Sequence, residues 1–243
     1  MGKIYTVVSG KGGAGKSTFC AGVSRACEKL NKKVLLIDGS IGFRSLDYLL
    51  GVDSMVVYDW LDYIKGNCDF KKPLLFEGEW INLLPAPIDL DDTFSKDDFK
   101  HLLDAYSEYY DLIFIDTPTG INDLSLIYSS LSDGVIAISQ PDELSSKLTC
   151  FLGDELCKNG IKNENIRLVI NKFSYRDCKR GRSLNIDDMI DKTYMRLLGI
   201  VPEVDDFSLK SEILSPTNMD LLAKDAFLNI INRLLGKDLP LIL

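Results

Sequence analysis

Residues 10–17 read GKGGAGKS, and this stretch constrains the fold more than any other. It follows an apolar, β-branched run from Ile4 to Val8. It precedes a segment from Thr18 to Leu30 in which Phe19, Val23, Ala26, Cys27 and Leu30 recur at helical spacing. A strand, a glycine loop and a helix in that order form a corner that binds phosphate. Two motifs overlap there. Gly10, Gly12 and Gly15 spell the G-x-G-x-x-G of dinucleotide folds. Gly10 to Gly15 followed by Lys16-Ser17 spell the triphosphate loop G-x-x-x-x-G-K-[ST].

One fact supports the dinucleotide reading: Asp38 closes the second apolar run, about where an acid would meet a ribose. Three facts oppose it. A dinucleotide fold has no need of Lys16-Ser17. Asp116 also ends an apolar run, as a magnesium-organising acid should. Gly12-Gly13 makes a longer loop than the fingerprint requires. The triphosphate reading uses every residue. Gly12, Gly13 and Gly15, with Ala14 between them, let successive N–H groups converge on an anion. Lys16 supplies a point charge for the β- and γ-phosphates, and Ser17 supplies a hydroxyl to Mg²⁺. At ordinary glycine usage of about 7%, the full pattern arises in roughly one shuffled chain in a hundred, so its place between a strand and a helix is a specific signal.

The rest of the chain alternates in the same way. Apolar runs at Val34 to Ile37, Ile81 to Leu84, Leu112 to Ile115, Gly134 to Ile138, Ile166 to Ile170 and Gly199 to Val201 predict strands. Helices are predicted over Ser54 to Lys65, Lys96 to Tyr109 (begun by Ser95), Leu124 to Leu131, Asp142 to Lys158 and Leu184 to Leu197. A terminal helix carries Ala223 through Leu234, with Gly236 beyond its end. Continuous apolar strands between helices predict an α/β fold with a mostly parallel sheet and helices on both faces. Ligands of such sheets sit beyond the carboxyl ends of the strands, which here carry Gly10, Asp38, Asp116 and Asn171. No repeat or linker interrupts the 243 residues, so a single nucleotide-binding domain, 1–243, is expected.

Composition narrows the function classes. The formal charge of −8 disfavours nucleic acid or anionic lipid across the whole surface. None of the six cysteines forms C-x-x-C, and buried reduced thiols are expected. His101 is the only histidine, a solvated helix residue on this reading, so histidine metal sites and Ser-His chemistry lack material. The start passes straight into a strand and no run of 18 apolar residues exists, so a cytoplasmic protein is expected.

Lys11 stands inside the loop without a role toward its own nucleotide. SGKGGAGKST resembles the deviant Walker A motif of the MinD/ParA ATPases, a P-loop NTPase family. LLIDGSIGFRSLDYLLG (Leu35 to Gly51) is similar to its switch I, and LIFIDTPTGI (Leu112 to Ile121) to its switch II. VINKF and LLGIVPEV resemble its adenine-side segments. VVYDWL and NRLLGKDLPL resemble the MinD branch, and the likeness runs from residue 3 to about 240. The resemblance implies an ATP-dependent homodimer in which Lys11 crosses to the partner's ATP. Lys16 would hold the β/γ-phosphates, and Ser17 and Asp116 would serve Mg²⁺. Thr18 would contact the α-phosphate and Gly120 would sense the γ-phosphate. Asn171 and Pro202 would line the adenine. ATP/ADP and Mg²⁺ are the implied cofactors, and an unidentified regulatory or activating protein is the implied partner.

Three departures qualify this. The family's switch I reads D-x-D-x-G-x-x-x-x-D, and Ser40 holds the place of its second aspartate, the one that orients the attacking water. Losing such a group typically costs roughly 10²–10⁴-fold in rate. Asp38, two residues away, is the nearest substitute. ATP binding and dimerisation are expected to survive, with weak or absent hydrolysis. The chain stops at Leu239-Pro240-Leu241-Ile242-Leu243 without a basic amphipathic helix, so membrane binding by the family's tail is not expected. Ile242 and Leu243 are candidates to dock on the body or on a partner. Lys172, Arg176, Lys179, Arg180 and Arg182 form a basic cluster opposed by Asp177, read first as a solvated loop and second as a contact for DNA or an acidic partner. The acidic run Asp89, Asp91, Asp92, Asp97 and Asp98 is read as loop and helix-start chemistry. The leading expectation is therefore a MinD-like switch in division-site or cargo positioning. The alternatives are a ParA-type DNA-associated partition ATPase and a non-catalytic ATP-binding scaffold.

Overall fold

The apolar runs assemble into one sheet. A computed structural model describes residues 1–77, 79–90, 94–204 and 221–241. In chain order its elements are β1 (Lys3–Val8), α1 (Lys16–Lys29), β2 (Val34–Asp38), α2 (Ser45–Leu50), α3 (Trp60–Ile64), β3 (Leu75–Glu77), β4 (Ile81–Leu84), α4 (Lys96–Ser107), β5 (Leu112–Asp116), α5 (Asp123–Ser130), β6 (Gly134–Ser139), α6 (Glu143–Lys158), β7 (Ile166–Phe173), α7 (Tyr175–Lys179), α8 (Ile186–Thr193), β8 (Arg196–Pro202) and α9 (Leu221–Leu234). The strand order is β3-β4-β2-β5-β1-β6-β7-β8. Every pairing is parallel except β3 with β4, an antiparallel edge.

The strand period of two explains the layers. Leu36, Phe114 and Ile136 face α1 and α9, packing with Phe19, Phe227 and Ile230. Leu35, Ile37, Ile113 and Ile115 face the other way, onto Trp60, Phe99, Leu102 and Tyr128. Further along that second face, Val135, Ala137, Leu168 and Ile170 meet Leu152, Leu156 and Met189. Burying each such side chain is worth about 1.5–3 kcal/mol. β2, β4, β5 and β6 are buried along their whole length, as helices on both faces require.

Several predicted elements need correction. The helix expected over Ser54 to Lys65 is a 3-10 turn, Asp53–Met55, followed by α3. Asp59 sets the break, because its carboxylate accepts from the N–H groups of Leu61 and Asp62 and caps α3. The helix expected over Leu184 to Leu197 is α8 alone. Asn185 caps it, Tyr194 closes it in the left-handed region at φ 55°, and the apolar run beyond is β8. β7 runs past Ile170 to Phe173 through an irregular register. The short elements α2, β3 and α7 were not anticipated. Ser95 does cap α4, with Asp98 completing a capping box. The six cysteines are free, but only Cys20 and Cys27 are buried; Cys157 is exposed and Cys68, Cys150 and Cys178 are half-buried.

His101 is exposed on α4, as expected. Leu239 and Pro240 sit on α9: Arg233 donates to the Leu239 carbonyl, and Asn229 Nδ2 donates to that of Pro240 at 2.9 Å. Ile242, Leu243, Asp91 and Asp92 lie outside the described residues. Among the described residues, no helix is long and apolar enough to cross a membrane.

Candidate functional site

The glycine loop joins β1 to α1 at the carboxyl edge of the sheet. Gly13 (φ 72°) and Gly15 (φ 98°) occupy the left-handed region, where a Cβ is strained. Packing fixes the loop as well. A Cβ on Gly15 would lie 2.2 Å from Asn171 Nδ2, and one on Gly10 would lie 2.7 Å from the Leu148 carbonyl oxygen. Asn171 Nδ2 donates to the Ala14 carbonyl at 2.8 Å and Gln140 Nε2 to the Gly13 carbonyl at 3.0 Å. The cradle is thus pinned from the ends of β6 and β7.

Lys16 begins α1 and is buried. Its Nζ donates to Ser9 Oγ and Thr119 Oγ1, both at 3.1 Å. Burial lowers its pKa, against the opposing pull of Asp116. Ser17 Oγ donates to Asp116 Oδ2 and lies 3.0 Å from Ser45 Oγ. Asp38 and Asp116 face each other in register at the ends of β2 and β5, both buried. Burial raises both carboxyl pKa values, and the Asp116 charge raises that of Asp38 further. Asp116 Oδ1 is buried without a hydrogen-bond partner. Two buried carboxylates with hydroxyls beside them form a hard-oxygen set suited to Mg²⁺, and the orphan oxygen is an acceptor that a metal-bound water would satisfy.

Asp38 also organises the loop behind it. Its carboxylate accepts the N–H of Ser40 at 2.9 Å and of Leu46 at 3.1 Å, while Trp60 Nε1 donates to its carbonyl at 2.9 Å. Arg44 sits in the left-handed region at φ 44°, rare for a side-chain-bearing residue. Its Nε meets the buried Asp47 Oδ2 at 3.1 Å.

These groups surround a cavity of about 1180 Å³. Of the residues predicted from sequence, Gly13, Gly15, Lys16, Ser17, Thr18, Ser40, Asn171 and Pro202 line it. Gly12, Ala14, Asp38 and Asp116 stand beside or behind that lining. The Gly120 N–H, at φ 83°, donates to the Ser9 carbonyl at 2.9 Å. Lys11 is not in the lining either; its Nζ lies 3.3 Å from Asp142 Oδ2, the cap of α6. The cavity also takes Lys172 of the basic cluster, and Phe43, Arg44, Ser45, Tyr48, Thr119 and Phe227, which sequence reasoning did not single out for the site. Phe43, Arg44, Ser45, Tyr48 and Thr119 lie within the quoted switch segments, the one signal that could have found them.

The basic cluster after β7 is exposed. Arg182 pairs with Asp177 at 3.6 Å and Lys179 rests over the Tyr175 ring at 4.5 Å.

Residues 5–214 match the family CbiA, the CobQ/CobB/MinD/ParA nucleotide binding domain. The chain belongs to this family. The septum site-determining protein MinD of Bacillus subtilis (strain 168) is 32% identical over 250 residues, spanning 99% of this chain and 92% of that protein. The MinC:MinD cell division protein complex of Aquifex aeolicus contains a chain that is 29% identical with a TM-score of 0.86, covering 99% of this chain and 98% of its own. The MinD of Pyrococcus horikoshii OT3 complexed with Mg-ADP shares the fold, with a TM-score of 0.79 at 23% identity over 96% of each chain. This is therefore a MinD-like member of the CobQ/CobB/MinD/ParA nucleotide-binding family, with the P-loop NTPase fold.

Proposed function

We propose that this chain is a single-domain, ATP-dependent dimerising switch of the MinD type, working in division-site or cargo positioning and hydrolysing ATP slowly. The observation that carries the reading is the convergence of Lys16, Ser17, Thr18, Asn171 and Pro202 on one cavity, with Lys11 beside it and outside its lining. The known relatives named as septum site-determining proteins support the process. The solved Mg-ADP complex of a protein with this fold supports the cofactors.

In this reading the Gly13–Gly15 backbone and Lys16 hold the β- and γ-phosphates, Thr18 meets the α-phosphate, and Asn171 and Pro202 bound the base. Ser17 and Asp116 hold the metal. When bound, Mg²⁺ neutralises charge on the β- and γ-phosphate oxygens. Lys11 reaches the ATP of a second copy. Its present ion pair with Asp142 is half-exposed, with side chains 36% and 41% accessible. Such a pair is worth under about 1 kcal/mol, so leaving it costs little against the charge of a triphosphate. The Gly120 N–H exchanges its Ser9 partner for the γ-phosphate. A regulatory protein partner fits the same reading, since the Aquifex MinD was solved with MinC.

Slow turnover follows from Ser40 and Asp38 together. A serine hydroxyl orients water but is a poor base at neutral pH. Asp38 is a weak substitute for the missing acid in this reading, because each of its oxygens is engaged with a backbone N–H of its own loop and it stays outside the cavity lining. The test is Mg²⁺-dependent ATP turnover for wild type and Ser40→Asp, at a concentration where ATP dimers form. The expected result is a nearly silent wild type and a gain of rate of roughly 10²-fold in the variant. A wild type that turns over no slower than Ser40→Asp overturns the assignment of the slow step to Ser40.

A further inference from the structure

We propose that Ser45 is a second hydroxyl ligand of the Mg²⁺ site, carried on the switch segment, so that the metal itself fastens that segment to the phosphate loop. The inference rests on the reading above, in which Ser17 and Asp116 hold the metal. Two observations carry it. Ser45 Oγ lies 3.0 Å from Ser17 Oγ. Octahedral Mg²⁺ holds its ligands at about 2.1 Å, which sets two adjacent ligands about 3.0 Å apart. The two hydroxyls thus already stand at the separation of neighbouring positions in one coordination shell. Ser17 in turn donates to Asp116, whose Oδ1 is the orphaned buried oxygen of this cluster.

The hydroxyl is not explained by local structure. Ser45 is the first residue of α2, but no side chain caps that helix end. The partner of its hydroxyl is Ser17, far away in sequence. The backbone brings it there by fixed steps. Asp38 holds the N–H groups of Ser40 and Leu46 on either side of it, and Arg44, strained at φ 44°, is tied to Asp47. A strained residue held by a buried ion pair is a local cost that places Ser45 at the metal.

The consequence differs from sensing of the γ-phosphate by Gly120. Ser45 responds to the metal, which either ADP or ATP can carry. Metal loading would therefore order residues 39–50 in both nucleotide states.

The experiment measures release of a fluorescent ADP while Mg²⁺ is titrated, starting from excess EDTA, for wild type, Ser45→Ala, Ser45→Thr and Ser17→Ala. The half-saturating Mg²⁺ concentration is expected to rise about tenfold or more in Ser45→Ala. Ser45→Thr, which keeps the oxygen, should stay near wild type. Ser45→Ala with a wild-type Mg²⁺ dependence, beside a Ser17→Ala that loses it, overturns the role of Ser45 alone. Equal impairment of Ser45→Ala and Ser45→Thr assigns the effect to packing and also overturns it. A Ser17→Ala protein with unchanged Mg²⁺ dependence removes the metal assignment beneath both proposals.

Discussion

The cavity has two unlike walls. The phosphate loop, residues 10–17, is held by close approach: Gly10 lies against the α6 backbone, Gly15 against Asn171, and the Ala14 and Gly13 carbonyls are taken by side chains from β7 and from the end of β6. The switch segment, residues 39–50, is anchored at points: Gly39 lies against the Asp116 carbonyl, Asp38 holds the N–H groups of Ser40 and Leu46, and Leu46 and Leu50 are buried, while Phe43 at 85% and Tyr48 at 59% exposure stand out between them. A wall fixed by steric contact keeps its shape whether or not a ligand is present. A wall anchored at points, with exposed residues between them, can answer to what the cavity holds. The first suits binding and the second suits reporting.

The comparison breaks most visibly at Gly15. Gly15→Ala places a Cβ at φ 98° and 2.2 Å from Asn171 Nδ2. Strain of about 1–3 kcal/mol, before the clash, is expected to weaken ADP binding on the order of 100-fold, read by fluorescence titration. Nucleotide affinity equal to wild type would mean that the loop is not set by packing. Asp38→Ala tests the other wall. It strands the N–H groups of Ser40 and Leu46, at about 1–3 kcal/mol for each group that stays buried. Cleavage within 39–50 by limited proteolysis should quicken, while ADP affinity in EDTA changes by less than about threefold. A loss of ADP affinity as large as that of Gly15→Ala would erase the distinction between the walls. The smallest expected effect belongs to Lys11→Ala. Its partly exposed pair with Asp142 contributes under about 1 kcal/mol, so the denaturant midpoint should barely move.

The two walls also differ in how far the sequence reveals them. The loop is contiguous: GKGGAGKS names its ligand class, its conformation and the helix that follows, because glycine, lysine and serine do their work within eight neighbouring residues. Asn171 was found because a parallel sheet puts strand ends on one edge. The switch wall is assembled from distant pieces. Nothing in Ser45 tells the reader that it meets Ser17, 28 positions earlier. Nothing in Trp60 shows that its indole N–H ends on the Asp38 carbonyl. α2 is six residues long and β3 three, too short to carry a period of their own. The helix over Ser54 to Lys65 was misplaced because a cap at Asp59 outweighs apolar spacing across a β-branched Val56-Val57 pair.

The dimerising switch depends on Lys11 serving a neighbouring copy. The most direct measurement is the solution mass, by light scattering, of wild type and Lys11→Ala with Mg-ATP and with Mg-ADP. The account predicts a wild-type dimer with ATP and a monomer with ADP, and a Lys11→Ala protein that stays monomeric with either while still binding nucleotide. A wild type that remains monomeric with bound ATP, or a Lys11→Ala protein that dimerises as well as wild type, would contradict it.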